Sequence, residues 1–237
     1  MSGTPKANTG AAAAVTSPAG TGAPAAAVTS PAGTLFDLAG GHPALDLVNS
    51  LDNRFRADGP NEMLASYTDL LRFAAESSLL QPQQAHALGK VAGNAAAVEA
   101  LHAVHELREA TAGVCYALVE EKTPPPGDIR TLERCFLAAD QHRELCWQPP
   151  LHDPEARANI TWQWRRAESN PFLPTWILSQ AVAELLLSQR LVQIKTCDVD
   201  TCRWLFLDTS KNHTRRWCNM KVCGNRMKAR RFQARQS

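Results

Sequence analysis

The hydrophobic positions change their period along the chain. Ala44, Leu45, Val48 and Leu51 recur at helical spacing behind Gly40-Gly41-His42-Pro43, a turn whose proline suits the first position of a helix. Asp58-Gly59-Pro60-Asn61 ends that helix. Ser66-x-x-Asp69 reads as a capping box ahead of Leu70, Leu71, Phe73 and Ala74, and Pro82 opens a further helical stretch. The longest helix is expected from about Ala96 to Glu121, burying Val98, Leu101, His105 or Val104, Leu107 and Leu118, until Pro124-Pro125-Pro126 stops it. Another should cover Asp128 to about Asp140. The period then becomes two: Ile160, Trp162 and Trp164 alternate with polar residues, and Leu145-Cys146-Trp147 suits the partner strand. Leu173–Gln189 is apolar on most sides, the mark of a central helix.

Ahead of this pattern, residues 1–34 are mostly Ala, Gly, Pro, Ser and Thr, and the octet AVTSPAGT occurs there twice. Such a segment buries too little apolar surface to offset its ordering entropy, so a disordered leader without a site is expected. A helical domain with a small β element then fills 35–192, and 193–237 forms a separate small module. The fold class expected is mainly α, with a C-terminal treble-clef-like ββα finger. No stretch approaches the roughly 20 apolar residues of a membrane helix, and the start lacks the pattern of an export signal. A cytoplasmic protein is the expectation, with no membrane partner.

The C-terminal module carries the chemistry. Four of the seven cysteines form two like pairs, Cys197-x4-Cys202 and Cys218-x4-Cys223. Each short loop brings two thiolates to one ion, and the spacer between the pairs returns the chain. Trp204–Leu207 and Arg215–Trp217 suit the two strands of that return, joined by 208–214. A helix should start just after Cys223, placing a thiolate near free amides and a positive dipole end. Four thiolates in a reducing compartment suit one tetrahedral Zn2+, structural because no coordination position stays open; an iron–sulfur cluster would draw on the same residues. Trp204, Phe206 and Trp217 read as the module's own core rather than as base-stacking groups. Cys115, Cys135 and Cys146 have no metal spacing.

Charge is uneven. From Lys211 to Ser237 there are nine Lys or Arg and no acid, whereas 1–210 holds the other 16 cations against all 23 acids. An acidic body with a basic tip fits nucleic-acid binding, DNA first and RNA not set aside. The candidate contacts are Arg215, Arg216, Arg226, Lys228, Arg230 and Arg231. Asp46 and Asn49 lie three apart on one helix face and are candidates for a polar wall around a small-molecule ligand. No nucleophile elbow, P-loop or dinucleotide fingerprint occurs, so a non-enzyme is expected. The competing reading is an enzyme or ligand-binding protein acting through the helical domain, with the finger as a protein-interaction module.

The residues Phe206-Leu207-Asp208-Thr209-Ser210, Arg215-Arg216-Trp217-Cys218 and Cys223-Gly224-Asn225-Arg226 closely resemble the CGNR zinc-finger family. Leu45-Asp46-Leu47-Val48-Asn49-Ser50 resembles the opening of the ABATE domain that usually precedes this finger. The resemblance implies zinc ligands at the four paired cysteines, nucleic-acid binding by the finger, and a role in stress-induced transcriptional regulation. The reading is therefore a zinc-finger regulator with the helical domain as a candidate ligand sensor.

Overall fold

A computed structural model describes residues 36–148, 159–165 and 169–236; the expected leader lies outside them. Helix α1 (Pro43–Asn49) starts at Pro43, with the His42 ring accepting from the Ala44 amide, and six of its seven residues are buried. A two-residue ribbon, β1 (Leu51–Asp52) with β2 (Asn61–Glu62), leads to α2 (Tyr67–Glu76). Ser66 and Asp69 close the expected capping box there, each side chain accepting from the other's amide at 3.2 and 3.0 Å. Then come α3 (Pro82–Gly89), the long α4 (Ala95–Val119) and α5 (Pro126–Asp140). Strands β3 (Arg143–Gln148) and β4 (Asn159–Trp164) pair antiparallel with Leu145 opposite Trp162 and Trp147 opposite Ile160, as the alternation predicts. The apolar α6 (Leu173–Leu186) follows and packs against α1, α2, α4 and α5.

The buried stripe of α4 differs from the expectation at two positions. Leu101, Val104 and Leu107 face inward beside Ala97, Ala100, Val114 and Cys115, whereas Val98 and Leu118 are exposed. Val98 sits off the stripe, and Leu118 lies in the final turn, past the helices that cover the rest. The same helix carries Arg108, only 3% exposed, whose guanidinium grips both carboxylate oxygens of Glu62 at 2.7 and 2.6 Å. Burial alone would raise the Glu62 pKa, but Arg108 holds it below the ordinary value.

A single 3-10 turn, Gln189–Gln193, leads into the last module: β5 (Ile194–Thr196), β6 (Leu205–Leu207), a π-turn over Met220–Gly224, and α7 (Asn225–Ala234). The expected hairpin is corrected here. β6 pairs with β5, Lys195 opposite Phe206, and residues 215–217 form no strand. The reason is that Arg215 meets a side chain instead of a ladder: its amide donates to the Asp208 carboxylate at 3.0 Å.

The module is not a separate core. Ile194, Leu205 and Leu207 belong to the same buried cluster as the body's helices. Asn49, buried on α1, offers its amide as a strand edge would: Nδ2 donates to the Leu205 carbonyl at 2.9 Å and Oδ1 accepts from the Leu205 amide at 3.0 Å. Leu207 donates to the Gly40 carbonyl at 2.9 Å. Replacing Asn49 by Ala strands a buried donor and a buried acceptor, so the variant should lose about 2–4 kcal/mol in urea unfolding. A loss below about 1 kcal/mol would mean that water replaces the amide.

Candidate metal centre

The first cysteine pair sits in the turn between β5 and β6. The Cys197 amide donates to the Trp204 carbonyl at 2.8 Å, and the Cys202 and Arg203 amides both donate to Val199 at 2.8 and 3.1 Å. Arg203 takes a left-handed conformation, φ 51°, which turns the chain back into β6. In the second pair Cys218 precedes the π-turn and Cys223 lies within it, where the Cys223 and Gly224 amides share the Asn219 carbonyl and α7 begins directly afterwards. Cys223 is thus at the amino end of a helix, as expected from the sequence.

These two turns bring all four sulfurs within 4.8 Å of one another. Cys202 and Cys218 Sγ are 3.6 Å apart, and Cys218 and Cys223 Sγ are 3.8 Å apart. A tetrahedral ion with Zn–S near 2.3 Å needs sulfurs about 3.8 Å apart, so the set fits such an ion. A multi-iron cluster would require the sulfurs to stand further apart. Thiol electrostatics agree. Hydrogen bonds from Cys202 and Cys218 pull Cys197 down to about 2, while hydrogen bonding to Cys197 pushes Cys202 and Cys218 up and burial pushes Cys223 up. The four can ionise together only around a cation.

Around the sulfurs, Val199 and Phe206 are buried, with Trp204, Trp217 and Met227 half-buried against them, which is the internal role expected of those aromatics. Asp208 holds the remaining chain, and its role is the feature that spacing alone does not reveal. Fully buried, it accepts from Lys195 Nζ at 2.7 Å, from the Ser210 amide and hydroxyl at 3.1 and 2.5 Å, and from the Arg215 amide. Burial opposes its charge, but these donors hold its pKa well below the usual carboxylate range. An Asp two residues ahead of a Ser is the local signal of such an Asx turn.

The candidate contact residues divide. Arg215 lies 4.5 Å over the Phe206 ring and donates to the carbonyls of Trp217 and Cys218, so it is used inside the finger. Arg216 pairs with Asp198 at 2.5 Å. Arg226, Lys228, Arg230 and Arg231 are exposed, with no acidic partner among the described residues. His213 points its ring at the Asp208 carbonyl and stays out of the sulfur cluster.

Asp46 and Asn49 are buried, and both spend their side chains on backbone groups of the chain. Asn49 clamps β6, and Asp46 Oδ1 accepts from the Gly40 amide at 2.8 Å. A Cβ at Gly40 would stand 2.7 Å from that oxygen, so the close approach requires glycine. The groove that does adjoin the site, about 310 Å3, runs between finger and body past Asp37, Asp52, Arg56, Trp204, Asn219 and Arg226.

The architecture is that of a helical body fused to a treble-clef finger with a four-cysteine centre. Residues 41–189 match the ABATE family, described as a putative stress-induced transcription regulator, and residues 193–236 match the CGNR zinc finger. The first match spans more than half of the chain, which therefore belongs to the ABATE family and ends in a CGNR zinc finger. No curated protein matches it. Both matched families are of regulator or zinc-finger type, and no described helix is long and apolar enough to cross a membrane.

Two outcomes test this site. Cys218→Ser should abolish tight zinc retention and also lower the thermal midpoint of the helical signal, because β5 and β6 are built into the body's core; elemental analysis with far-UV melting reads both. A finger that melts while the body's midpoint stays fixed would contradict the shared core. The second concerns Asp46, whose pKa burial raises from 3.8 to about 7, against the pull of the Gly40 amide and with the Asp37 charge adding to the rise. The folded state keeps a proton that the unfolded chain has lost, so this carboxyl's contribution is full below about pH 4 and disappears as pH rises through 7. Asp46→Asn should match the wild type near pH 4 and be more stable by about 2–4 kcal/mol at pH 8. Equal stability of the two proteins across this range would mean that the carboxylate is well solvated.

Proposed function

We propose that this protein is a transcription regulator that binds duplex DNA through α7 and the turn before it, on a finger fixed by one structural zinc held by Cys197, Cys202, Cys218 and Cys223. The carrying observation is the state of the cations. Lys211, Lys221, Arg226, Lys228, Arg230, Arg231 and Arg235 are all exposed, and none has an acidic partner among the described residues. Counterbalance for four thiolates explains two or three cations near the sulfurs. It does not explain those along α7, no residue of which is buried. A ten-residue helix, about 15 Å long, half-buried only at Met227 and bearing exposed cations, suits a major groove.

What the metal supplies is rigidity. With both cysteine turns fixed, α7 keeps its amino end at Cys223 and its orientation to β6, so the cations are displayed on a scaffold instead of a tail. Sensing is the second part of the proposal. The groove between finger and body is lined by Arg226 of α7 and by Asp52, so a small molecule bound there would lie against the helix proposed to meet DNA. Such a ligand acts only if it binds two arrangements of finger and body with different affinity.

If four to six of these cations meet phosphates, log K should fall with log salt at a slope of about −4 to −5 on duplex DNA. The triple variant with Lys228, Arg230 and Arg231 changed to Ala should weaken binding to all sequences and flatten that slope, with zinc content unchanged. Absence of salt-dependent binding to duplex DNA would remove this reading; binding to RNA alone would redirect it to a different nucleic acid, and binding to neither would leave the finger a protein-interaction module.

A further inference from the structure

The β3–β4 ribbon carries an apolar face that nothing in the regulator reading uses. Leu145 and Trp147 on β3 and Ile160 and Trp162 on β4 all project to one side, since directly opposed residues of an antiparallel pair share a face. They are 61%, 65%, 61% and 56% exposed. The other face presents Glu144, Cys146, Thr161 and Gln163. At one end the ribbon is held to the body, where His142 and Trp164 stack on Trp176 of α6 and Arg143 lies 4.7 Å over the Trp162 ring. An isolated two-stranded ribbon is marginal in water, and one with an apolar face becomes stable when that face is covered.

We infer that this face is covered by the same face of a second copy of the chain. The pattern is a two-by-two checkerboard: Leu145 lies opposite Trp162, and Trp147 opposite Ile160. Turn a copy about an axis along the strands, and Leu145 faces the other copy's Trp162 while Trp147 faces its Ile160. Turn it about an axis across the strands, and each tryptophan again meets an aliphatic side chain. Either two-fold sets a large ring against a smaller group at every position, as self-complementary packing requires.

The area sets the strength. Two tryptophans and two aliphatic residues exposed to this degree present about 500 Å2 per copy, or about 1,000 Å2 for the pair. That is at the low end of specific interfaces, and it predicts a reversible dimer with a dissociation constant in the micromolar range. Arg143, paired with Asp140 and stacked on Trp162, supplies a polar rim beside the apolar centre. A dimer of this kind would give the regulator two fingers, which matters because one finger reads few bases.

The experiment is sedimentation equilibrium of the full zinc-loaded chain without DNA, from about 1 to 200 μM. The wild type should pass from monomer to dimer. Trp147→Gln with Trp162→Gln should weaken association at least tenfold, and so should Leu145→Lys with Ile160→Lys. Helical signal and zinc content establish that each variant is folded, and either folded pair decides the question. Leu187→Gln with Val192→Gln changes equally exposed apolar residues elsewhere, 84% and 87% exposed, and should leave association as it is. A wild type that stays monomeric, or a dimer that loses nothing in the ribbon variants, overturns the inference. Because no DNA is present, failure here is separate from failure of the finger to bind it.

Discussion

Strand β6 is the constraint on which both parts of this molecule rest. Its three residues are all buried, and they serve two cores by simple alternation. Leu205 and Leu207 point into the helical body, and Phe206 points into the finger beside the cysteines. A strand's side chains change face at every residue, so a one-residue slip against β5 would send Phe206 into the body and both leucines into the finger. Asn49 fixes the register from one edge and β5 from the other. The same hydrogen bonds that place the strand therefore join metal centre to body, and the finger cannot swing as an independent domain.

The charges obey a related division. Three cations drawn into the fold are held by named partners: Arg108 by Glu62, Arg215 by carbonyls and the Phe206 ring, Lys195 by Asp208. Buried charges without partners are costly, so each of these is tied to two or more groups. The cations beyond Met220 have no such enclosure and line a helix that buries none of its side chains. Of the cations that charge counting groups together, Arg215 and Arg216 are held by partners inside the finger, whereas those from Lys221 onward have no acidic partner among the described residues.

Much of this is legible in the sequence because its determinants are local. Two x4 cysteine pairs, a capping box and an alternating Ile-x-Trp-x-Trp each depend on a few neighbouring residues, and the structure builds the corresponding elements. The pairing of β6 is harder, since Arg215-Arg216-Trp217 also reads as a strand and the choice turns on Asp208 capturing the Arg215 amide. The Asn49 clamp spans 156 positions, and nothing near either end announces it. Its amide lies in the same buried polar pair as Asp46, so a sequence reading sees two hydrophilic residues on an apolar helix and reaches for a ligand. The ligand is the protein's own backbone.

The rigid joint limits how such a regulator can respond. A finger on a flexible linker could be released from DNA without disturbing its partner domain; here any change in the finger's position must break or move the contacts of β6. Those contacts include the Trp204 ring nitrogen on Asp52, the Tyr116 hydroxyl on the Arg203 carbonyl, and Arg203 on Glu120, set about the Asn49 clamp. The polar members can exchange for water at small cost, whereas Leu205 and Leu207 cannot leave their core without exposing apolar surface. A change of arrangement is therefore cheapest at the polar rim of the joint, where the groove lies, while β6 and the cysteine turns it carries keep their place.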